Sequence, residues 1–188
     1  MNYIPQIEDY LNTEIEILRR LDRQQINTLM EMMEKTRLEE KRIFICGNGG
    51  SAATASHFVC DFMKGVSLDQ TVKYDFECLN DNTPLLMAVA NDIGYNQVFE
   101  MPLRAKLHPG DLVIGISGSG NSENVVRAIR YAKDHGGRTA VLVGYSGGKL
   151  LELADHAVHV RIDNMQIVED VHMILDHLMM YILAHCPE

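Results

Sequence analysis

The chain has 188 residues, of which 46% are hydrophobic and 23% are charged, and its formal net charge at pH 7 is −9. These values predict a single globular domain that is large enough to bury a sizeable core. The negative charge argues against nucleic acid as the main partner, because binding to a phosphate backbone needs a basic face. No apolar stretch approaches 18 residues, so we expect no membrane span.

The N-terminus and the cysteines bear on the compartment. Glu8 and Asp9 interrupt any apolar signal-peptide core, so we do not expect export. No CxxC spacing links the cysteines, which are Cys46, Cys60, Cys78 and Cys186. A chain of this length does not depend on disulfides, and reduced thiols in the cytoplasm are the simplest interpretation.

Two helices are predicted ahead of an α/β core, so that residues 1–40 are helical and residues 41–188 form the core of the same domain. Apolar residues at helical spacing predict helices at 5–21 and 23–37. The first helix carries a main stripe of Ile7, Leu11, Ile15, Leu18 and Leu21, and a second apolar set of Tyr3, Tyr10 and Ile17. Since one stripe suffices for packing on a core, the second indicates either a subunit contact or a helix wedged between others of the same chain.

From Arg42 onward, strand and helix patterns alternate. Strands are predicted at Arg42–Cys46, Asp75–Leu79, Asp111–Ile116, Thr139–Gly144 and Ala157–Ile162. Helices are predicted at Ser51–Met63, Thr83–Ala90, Tyr95–Leu107, Ser122–His135, Gly148–Leu153 and Met165–Ala184. Such alternation is typical of a parallel sheet that helices cover on both faces. Ligands of these sheets bind at the carboxyl ends of the strands, near the point where the strand order reverses.

The segment Asp111–Asn124 has the pattern of an anion site. A buried strand leads into the small residues of Ser117–Ser122, and a helical period follows from Glu123. The first amides of a helix lack partners and the helix dipole is positive there, so this loop is suited to an anion. Its donors are Ser117, Ser119, Ser122 and main-chain amides, including that of Gly118, and no basic residue lies in it. Neutral donors of this kind suit one phosphate group of a small metabolite.

A second glycine-rich loop follows the first predicted strand. Asn48, Gly49, Gly50 and Ser51 lie in a GxGxxA pattern that is close to a dinucleotide fingerprint. The acidic residue expected about 20 residues later is missing, because the next strand begins only near residue 75. No Gly-Lys-Ser/Thr follows the glycines either, which excludes a nucleotide P-loop. Two separate loops of this kind favour a phosphosugar, and we expect no nucleotide cofactor.

Spacing also selects candidates for acid–base chemistry. His57 and Asp61 are four residues apart on a predicted helix, so their side chains share a face. On the C-terminal helix, Glu169 and His177 are eight residues apart and roughly 80° apart around the axis. Spacing alone would pair Asp170 with His177, seven residues apart.

Three motifs together resemble a known family. They are CGNGGSAATASHF at Cys46–Phe58, ANDIGY at Ala90–Tyr95 and GISGSGNS at Gly115–Ser122. They are similar to the sugar isomerase (SIS) domain and, within that superfamily, to the bacterial phosphoheptose isomerases. The resemblance implies a three-layer α-β-α sandwich with a five-stranded parallel sheet. It also implies a homotetramer with active sites between subunits.

The same resemblance implies roles for particular residues. His57, Asp61, Glu169 and His177 match positions where the family has His, Glu, Gln and His, which line the active site and can bind zinc. Two histidines and two carboxylates are also a reasonable zinc set. The family uses the position of Asp61 as the base and that of His177 as the acid, and Glu169 is a possible replacement base. Asn91 and Asp92 match a substrate-binding Asn-Asp pair; without the resemblance, the simple interpretation of these two residues is a helix cap.

The reaction implied is aldose–ketose isomerisation of sedoheptulose 7-phosphate to D-glycero-D-manno-heptose 7-phosphate through an enediolate, in the synthesis of surface-polysaccharide precursors. The chain departs from the family pattern at Asp61 for Glu, Glu169 for Gln, Gly118 for Thr and Gly65 for Arg. These departures leave two alternatives open. One is isomerisation of another sugar phosphate; the other is a non-catalytic protein that binds phosphosugars or the replication initiator DnaA.

Overall fold

A computed structural model of the chain describes residues 1–185, and Cys186 therefore lies outside the described residues. The α-helices are α1 (Ile4–Arg20), α2 (Arg23–Leu38), α3 (Gly50–Cys60), α4 (Thr83–Asp92), α5 (Glu100–Lys106), α6 (Glu123–Asp134), α7 (Gly148–Leu153) and α8 (Met165–His185). The strands are β1 (Arg42–Gly47), β2 (Asp75–Cys78), β3 (Leu112–Ser117), β4 (Arg138–Val143) and β5 (His156–His159). The predicted alternation of strands and helices is confirmed.

Two predicted helices are divided in the structure. Instead of one helix over 95–107 there is a 3₁₀ turn at Tyr95–Gln97, followed by α5. Pro102 fixes this boundary, because a proline has no amide hydrogen and fits only the first turn of an α-helix. Helix α3 ends at Cys60 and continues as a π-helical segment, Asp61–Val66. Single π-helical turns of this kind occur often at functional sites.

The five strands form one parallel sheet in the order β2-β1-β3-β4-β5. Because successive strand residues face opposite sides, the sheet supports two hydrophobic cores. Ile43, Ile45 and Ile114 face the core formed with α1, α2, α3 and α8. Phe44 and Val113 face the other core, which α4 to α7 complete. The predicted three-layer α-β-α sandwich is therefore confirmed.

Helix α1 packs on the domain with two members of its smaller apolar set, Tyr10 and Ile17, whereas the third member, Tyr3, is 62% exposed. Ile17 is buried, and Tyr10 packs against the same core as α8. The main stripe was expected to face the core, and for its first half this is wrong: Ile7 is 55% exposed, Leu11 54% and Ile15 45%. Only the end of the stripe, at Leu18 and Leu21, packs inward. The helix is therefore not wedged within this chain, and an apolar face of α1 lies on its surface.

Local signals mark the helix ends that the sequence indicates. The Asp22 carboxylate accepts hydrogen bonds from the amides of Gln24 and Gln25 and so caps α2. Helix α6 stops where Gly136 adopts a φ of 78°, a left-handed conformation that favours glycine. Among the described helices, none combines the length and apolar character needed to cross a membrane.

Candidate active site

Both glycine-rich loops lie at one edge of the sheet, where the strand order reverses. Strands β1 and β3 are hydrogen-bonded neighbours in register, with Gly47 beside Ile116. The chain leaves β1 to one side of the sheet and β3 to the other, so a crevice opens beyond their carboxyl ends. The sequence predicts the two loops separately; the topology brings them together.

The loop after β3 is closed by its own hydrogen bonds. Ser117 Oγ contacts Ser122 Oγ at 3.1 Å, and the Gly120 amide donates to the Ser117 carbonyl at 3.0 Å. Gly120 has a φ of +66°, and a Cβ there would lie 1.9 Å from the Gly147 carbonyl oxygen. Only glycine fits this turn, which places Ser119 and Ser122 at the start of α6.

The loop after β1 is tied to α6 by amide side chains. Asn48 and the buried Asn124 exchange two hydrogen bonds, of 2.9 and 2.8 Å. The Tyr95 hydroxyl donates a further bond to Asn48 Oδ1 at 2.7 Å. Gly49 has a φ of +56°, and helix α3 starts directly after it. Asn48 thus fixes the position of the two loops relative to each other, and both polar atoms of its side chain are used in these hydrogen bonds.

A cavity of about 160 Å³ lies between the two loops. Its lining residues are Asn48, Ser51, Ile116, Ser117, Gly118, Ser119, Ser122, Met165 and Glu169. Small-molecule pockets usually measure about 300–1,000 Å³, so one copy of the chain encloses only part of a phosphosugar. Ser119 and Ser122 contribute hydroxyl groups, which are neutral hydrogen-bond donors, to the lining of this cavity. A larger cavity of about 410 Å³ lies at the opposite edge of the sheet, among charged side chains such as Arg42 and Asp75 that pair with each other.

Glu169 places a carboxylate in this cavity. A Cβ on Gly50 would lie 2.4 Å from Glu169 Oε2, so the side chain rests directly on the first turn of α3. The positive end of the helix dipole favours a negative group at that place. Glycine at position 50 is what allows the carboxylate to approach so closely.

Methionines of α8 fill space at two positions where the chain departs from the family pattern. A Cβ on Gly118 would lie 2.5 Å from Met165 Sδ, and a Cβ on Gly65 would lie 2.6 Å from Met180 Cε. A larger side chain at either position would need the methionine to move. The two glycines and the two methionines are therefore matched pairs.

Four acidic and imidazole side chains converge between α3 and α8. The Nε2 atoms of His57 and His177 lie 3.0 Å apart. Asp61 Oδ2 lies 3.6 Å from His57 Nε2 and 4.0 Å from His177 Nε2. Asp176 belongs to the same group, in which one ligand atom of each residue lies within 4.8 Å of the others. We call these four residues the His/Asp cluster.

Asp176 is the member that the sequence did not indicate. It is fully buried, and neither of its carboxyl oxygens has a hydrogen-bond partner within residues 1–185. Burial raises the pKa of Asp176 to about 8, and the charge of Asp61 adds to the rise. Adjacent helical residues point about 100° apart, so a pair such as Asp176 and His177 is not recognised by the i, i+4 rule.

The cluster has the dimensions of a zinc site. Zinc bonds of about 2.0–2.1 Å at tetrahedral angles place ligand atoms about 3.4 Å apart. The measured separations of 3.0, 3.6 and 4.0 Å among His57, Asp61 and His177 bracket that value. Imidazole and carboxylate are both ordinary zinc ligands. The residues present therefore fit a zinc ion.

Not all of the predicted site residues lie together. Glu169 is in the loop cavity and is not part of the His/Asp cluster. Asp170, which spacing alone would pair with His177, instead accepts a hydrogen bond from the Tyr10 hydroxyl of α1. Asn91 and Asp92 form the exposed last turn of α4, where the Asn91 amide donates to Asp92 at 2.7 Å. They do not cap a helix start, and their substrate role stays a prediction.

The comparisons with known proteins agree with the fold. The SIS domain family matches residues 8–144. The chain belongs to the SIS domain family. It is 36% identical over 181 residues to a phosphoheptose isomerase of Helicobacter pylori (strain P12), covering 96% of this chain and 90% of that protein.

Solved structures with a similar SIS domain cover nearly the whole chain. The phosphoheptose isomerase of Neisseria gonorrhoeae superposes with a TM-score of 0.88 at 26% identity, covering 97% of this chain and 98% of that one. That of Francisella tularensis gives a TM-score of 0.89 at 25% identity, with coverage of 98% and 99%. The N-terminal helices and α8 are thus part of the shared architecture.

Proposed function

We propose that the protein is a phosphosugar isomerase that converts sedoheptulose 7-phosphate to D-glycero-D-manno-heptose 7-phosphate. The observation that carries the proposal is that helix α8 contributes both to the loop cavity, through Glu169, and to the His/Asp cluster, through Asp176 and His177. The similarity to phosphoheptose isomerases over almost the full chain supports the same substrate. A protein that only binds a sugar phosphate would need the two loops but not the cluster.

Ser119, Ser122 and the first amides of α6 hold the phosphate by neutral hydrogen bonds and the helix dipole. Glu169 lies in the same cavity as these serines, whereas Asp61 faces the imidazoles of the cluster. We assign the base to Glu169, with Asp61 as the alternative, because Asp61 lies beside both imidazoles and would share a metal ion with them.

The reaction moves one proton between carbons and one between oxygens. Glu169 removes a proton from C1 of the ketose, which gives an enediolate, and returns it to C2. In the metal-free protein, His177 protonates O2 and accepts the proton of O1, so that the net charge of the sugar is unchanged. His57, Asp61 and His177 would hold a zinc ion, which when bound supplies Lewis acidity to the two oxygens.

We further propose that the active form is a homo-oligomer, which the family resemblance predicts to be a tetramer. Ile4, Ile7, Leu11 and Ile15 form an exposed apolar face on α1. Contiguous apolar surface of this kind marks interaction sites. A second subunit would cover this face, and the incomplete cavity supports a site that a neighbouring copy finishes. Free thiols at Cys46, Cys60 and Cys78 support a reducing compartment, and the cytoplasm stays the expected one.

The direct test is incubation with sedoheptulose 7-phosphate in D₂O, with NMR of the product. We expect the aldose to accumulate and to carry deuterium at C2, because the base exchanges its proton with solvent. Glu169→Gln should abolish turnover, and Asp170→Asn, a neighbouring acid outside the cavity, should not. Absence of isomerisation with and without zinc would refute the heptose assignment, and other ketose phosphates in the same assay would reveal a different substrate.

A further inference from the structure

Asp176 differs from the other buried carboxyl groups of the described chain. Glu100 is buried but pairs with Arg104 at 2.6 Å and with Arg127 at 2.7 Å. Asp111 is buried and accepts main-chain amides from Arg42 and His108. Neither oxygen of Asp176 has such a partner within residues 1–185, although the residue is 0% exposed. A buried acid left in this state is costly, so its retention needs a reason.

Packing does not supply that reason. Apart from His172, the buried residues of α8 around Asp176 are apolar, and they include Val171, Leu175 and Met179. No hydrogen bond joins His172 to Asp176. A leucine at position 176 would continue this surface without any unsatisfied group. An acid is therefore placed where the helix otherwise builds core.

The direction of the Asp176 side chain does supply a reason. One of its oxygens lies within 4.8 Å of the ligand atoms of His57, Asp61 and His177. Two carboxylates this close repel each other when both are ionised, and a cation bound by both removes that repulsion. Two imidazole nitrogens from the same side complete a donor set that zinc accepts.

We propose that Asp176 is the fourth ligand of the metal held by His57, Asp61 and His177, a position that the family resemblance assigns to Glu169. The inference rests on the metal of the proposed function. Under this proposal, two acids of α8 have different roles, one in metal binding and one in catalysis. Asp176 binds the ion from the buried side, and Glu169 is left free in the loop cavity to act on the sugar.

Metal binding by variants tests this division. A chelator first removes metal from four proteins, which are wild type, Asp176→Asn, Glu169→Gln and Asp170→Asn. Each protein is then dialysed against Zn²⁺ and assayed for bound zinc. Titration with Co²⁺, followed by absorption, gives the metal affinity of each. We expect wild type to bind one ion per chain. Asp176→Asn should bind at least about tenfold more weakly, and the other two variants should match wild type within about twofold.

A second variant guards against loss of folding. Asp176→Leu suits the apolar surroundings, so its metal-free melting temperature should equal or exceed that of wild type. Zinc should raise the melting temperature of wild type but not of this variant. Unchanged zinc binding in both Asp176 variants would overturn the proposal, as would loss of zinc from Glu169→Gln or a wild type that binds none.

The outcome is separable from that of the proposed function. A wild type that isomerises the heptose phosphate without binding zinc would refute the ligand assignment and leave the activity intact. A protein that binds zinc through Asp176 but isomerises no sugar phosphate would do the reverse.

Discussion

The contact between Gly118 and Met165 gives a prediction whose size follows from the structure. A Cβ on Gly118 would lie 2.5 Å from Met165 Sδ and 3.2 Å from its Cε. Favourable contact distances are about 3.5–4.0 Å, so the sulfur is about 1 Å too close. The loop has little freedom to retreat, because the Gly118 carbonyl accepts a hydrogen bond of 2.8 Å from the Gly144 amide. Met165 must therefore move.

Overpacking in a well-packed core costs about 1–3 kcal/mol, and because Met165 is flexible and only partly buried we expect the lower end of this range. Gly118 does not have a positive φ, so the backbone adds no strain of its own. We expect Gly118→Ala to lower the melting temperature by roughly 2–4 °C per kcal/mol in a chain of this size. Met165 also lines the cavity, so its displacement should raise the KM for the sugar phosphate.

A double-mutant cycle isolates the contact. In a Met165→Ala background the added methyl group retains only an ordinary contact of 3.6 Å with Val168 Cγ1, and the cost of Gly118→Ala should fall close to zero. The two substitutions should therefore show a coupling energy of at least about 1 kcal/mol in urea denaturation. Additive effects, within about 0.5 kcal/mol, would refute the argument that Met165 occupies this space.

Three further predictions concern other parts of the chain. Burial lowers the pKa of His172 from 6.5 to about 4, so between these pH values the unfolded chain binds more protons than the folded chain. The free energy of unfolding should therefore fall by about 3 kcal/mol as the pH drops from 6.5 to 4. In urea denaturation at several pH values, His172→Gln should lose most of this pH dependence. Gly120→Ala should lower the free energy of unfolding by more than about 3 kcal/mol, because its Cβ would lie 1.9 Å from a carbonyl oxygen. Gly49 also has a positive φ, but no described atom lies within 4 Å of a Cβ there, so Gly49→Ala should lower it by only about 1–2 kcal/mol. Equal losses of stability by calorimetry would contradict the steric argument. Ile7→Glu should shift the mass measured by light scattering toward the monomer, since it places a charge on the exposed face of α1, and Glu8→Gln should not; an unchanged mass for Ile7→Glu would show that this face is not the interface.

The errors of the sequence interpretation have a common origin. On α1, periodicity reveals two apolar sets but not which of them faces the core, because both are apolar and only neighbouring elements decide. Tyr10 faces α8 and hydrogen-bonds to Asp170, so the first half of the longer stripe is left at the surface. On α8, sequence spacing shows which residues share a face of that helix but not which residues of other elements they contact. Glu169 contacts Gly50 at the start of α3, whereas Asp176 lies close to His57 near its end and to Asp61 after it.

The sequence by itself determines the parallel α/β architecture, the two loops and the residue types available for chemistry, because these follow from local periodicity and from glycine and serine at strand ends. It also places His57 and Asp61 on one face, since that relation lies within one stretch of chain. Only the tertiary structure decides that β1 and β3 are neighbours, that Glu169 lies over Gly50 and that Asp176 faces His57. Each of these contacts joins residues far apart in sequence, and a contact across α3 and α8 leaves no periodic signal in either helix.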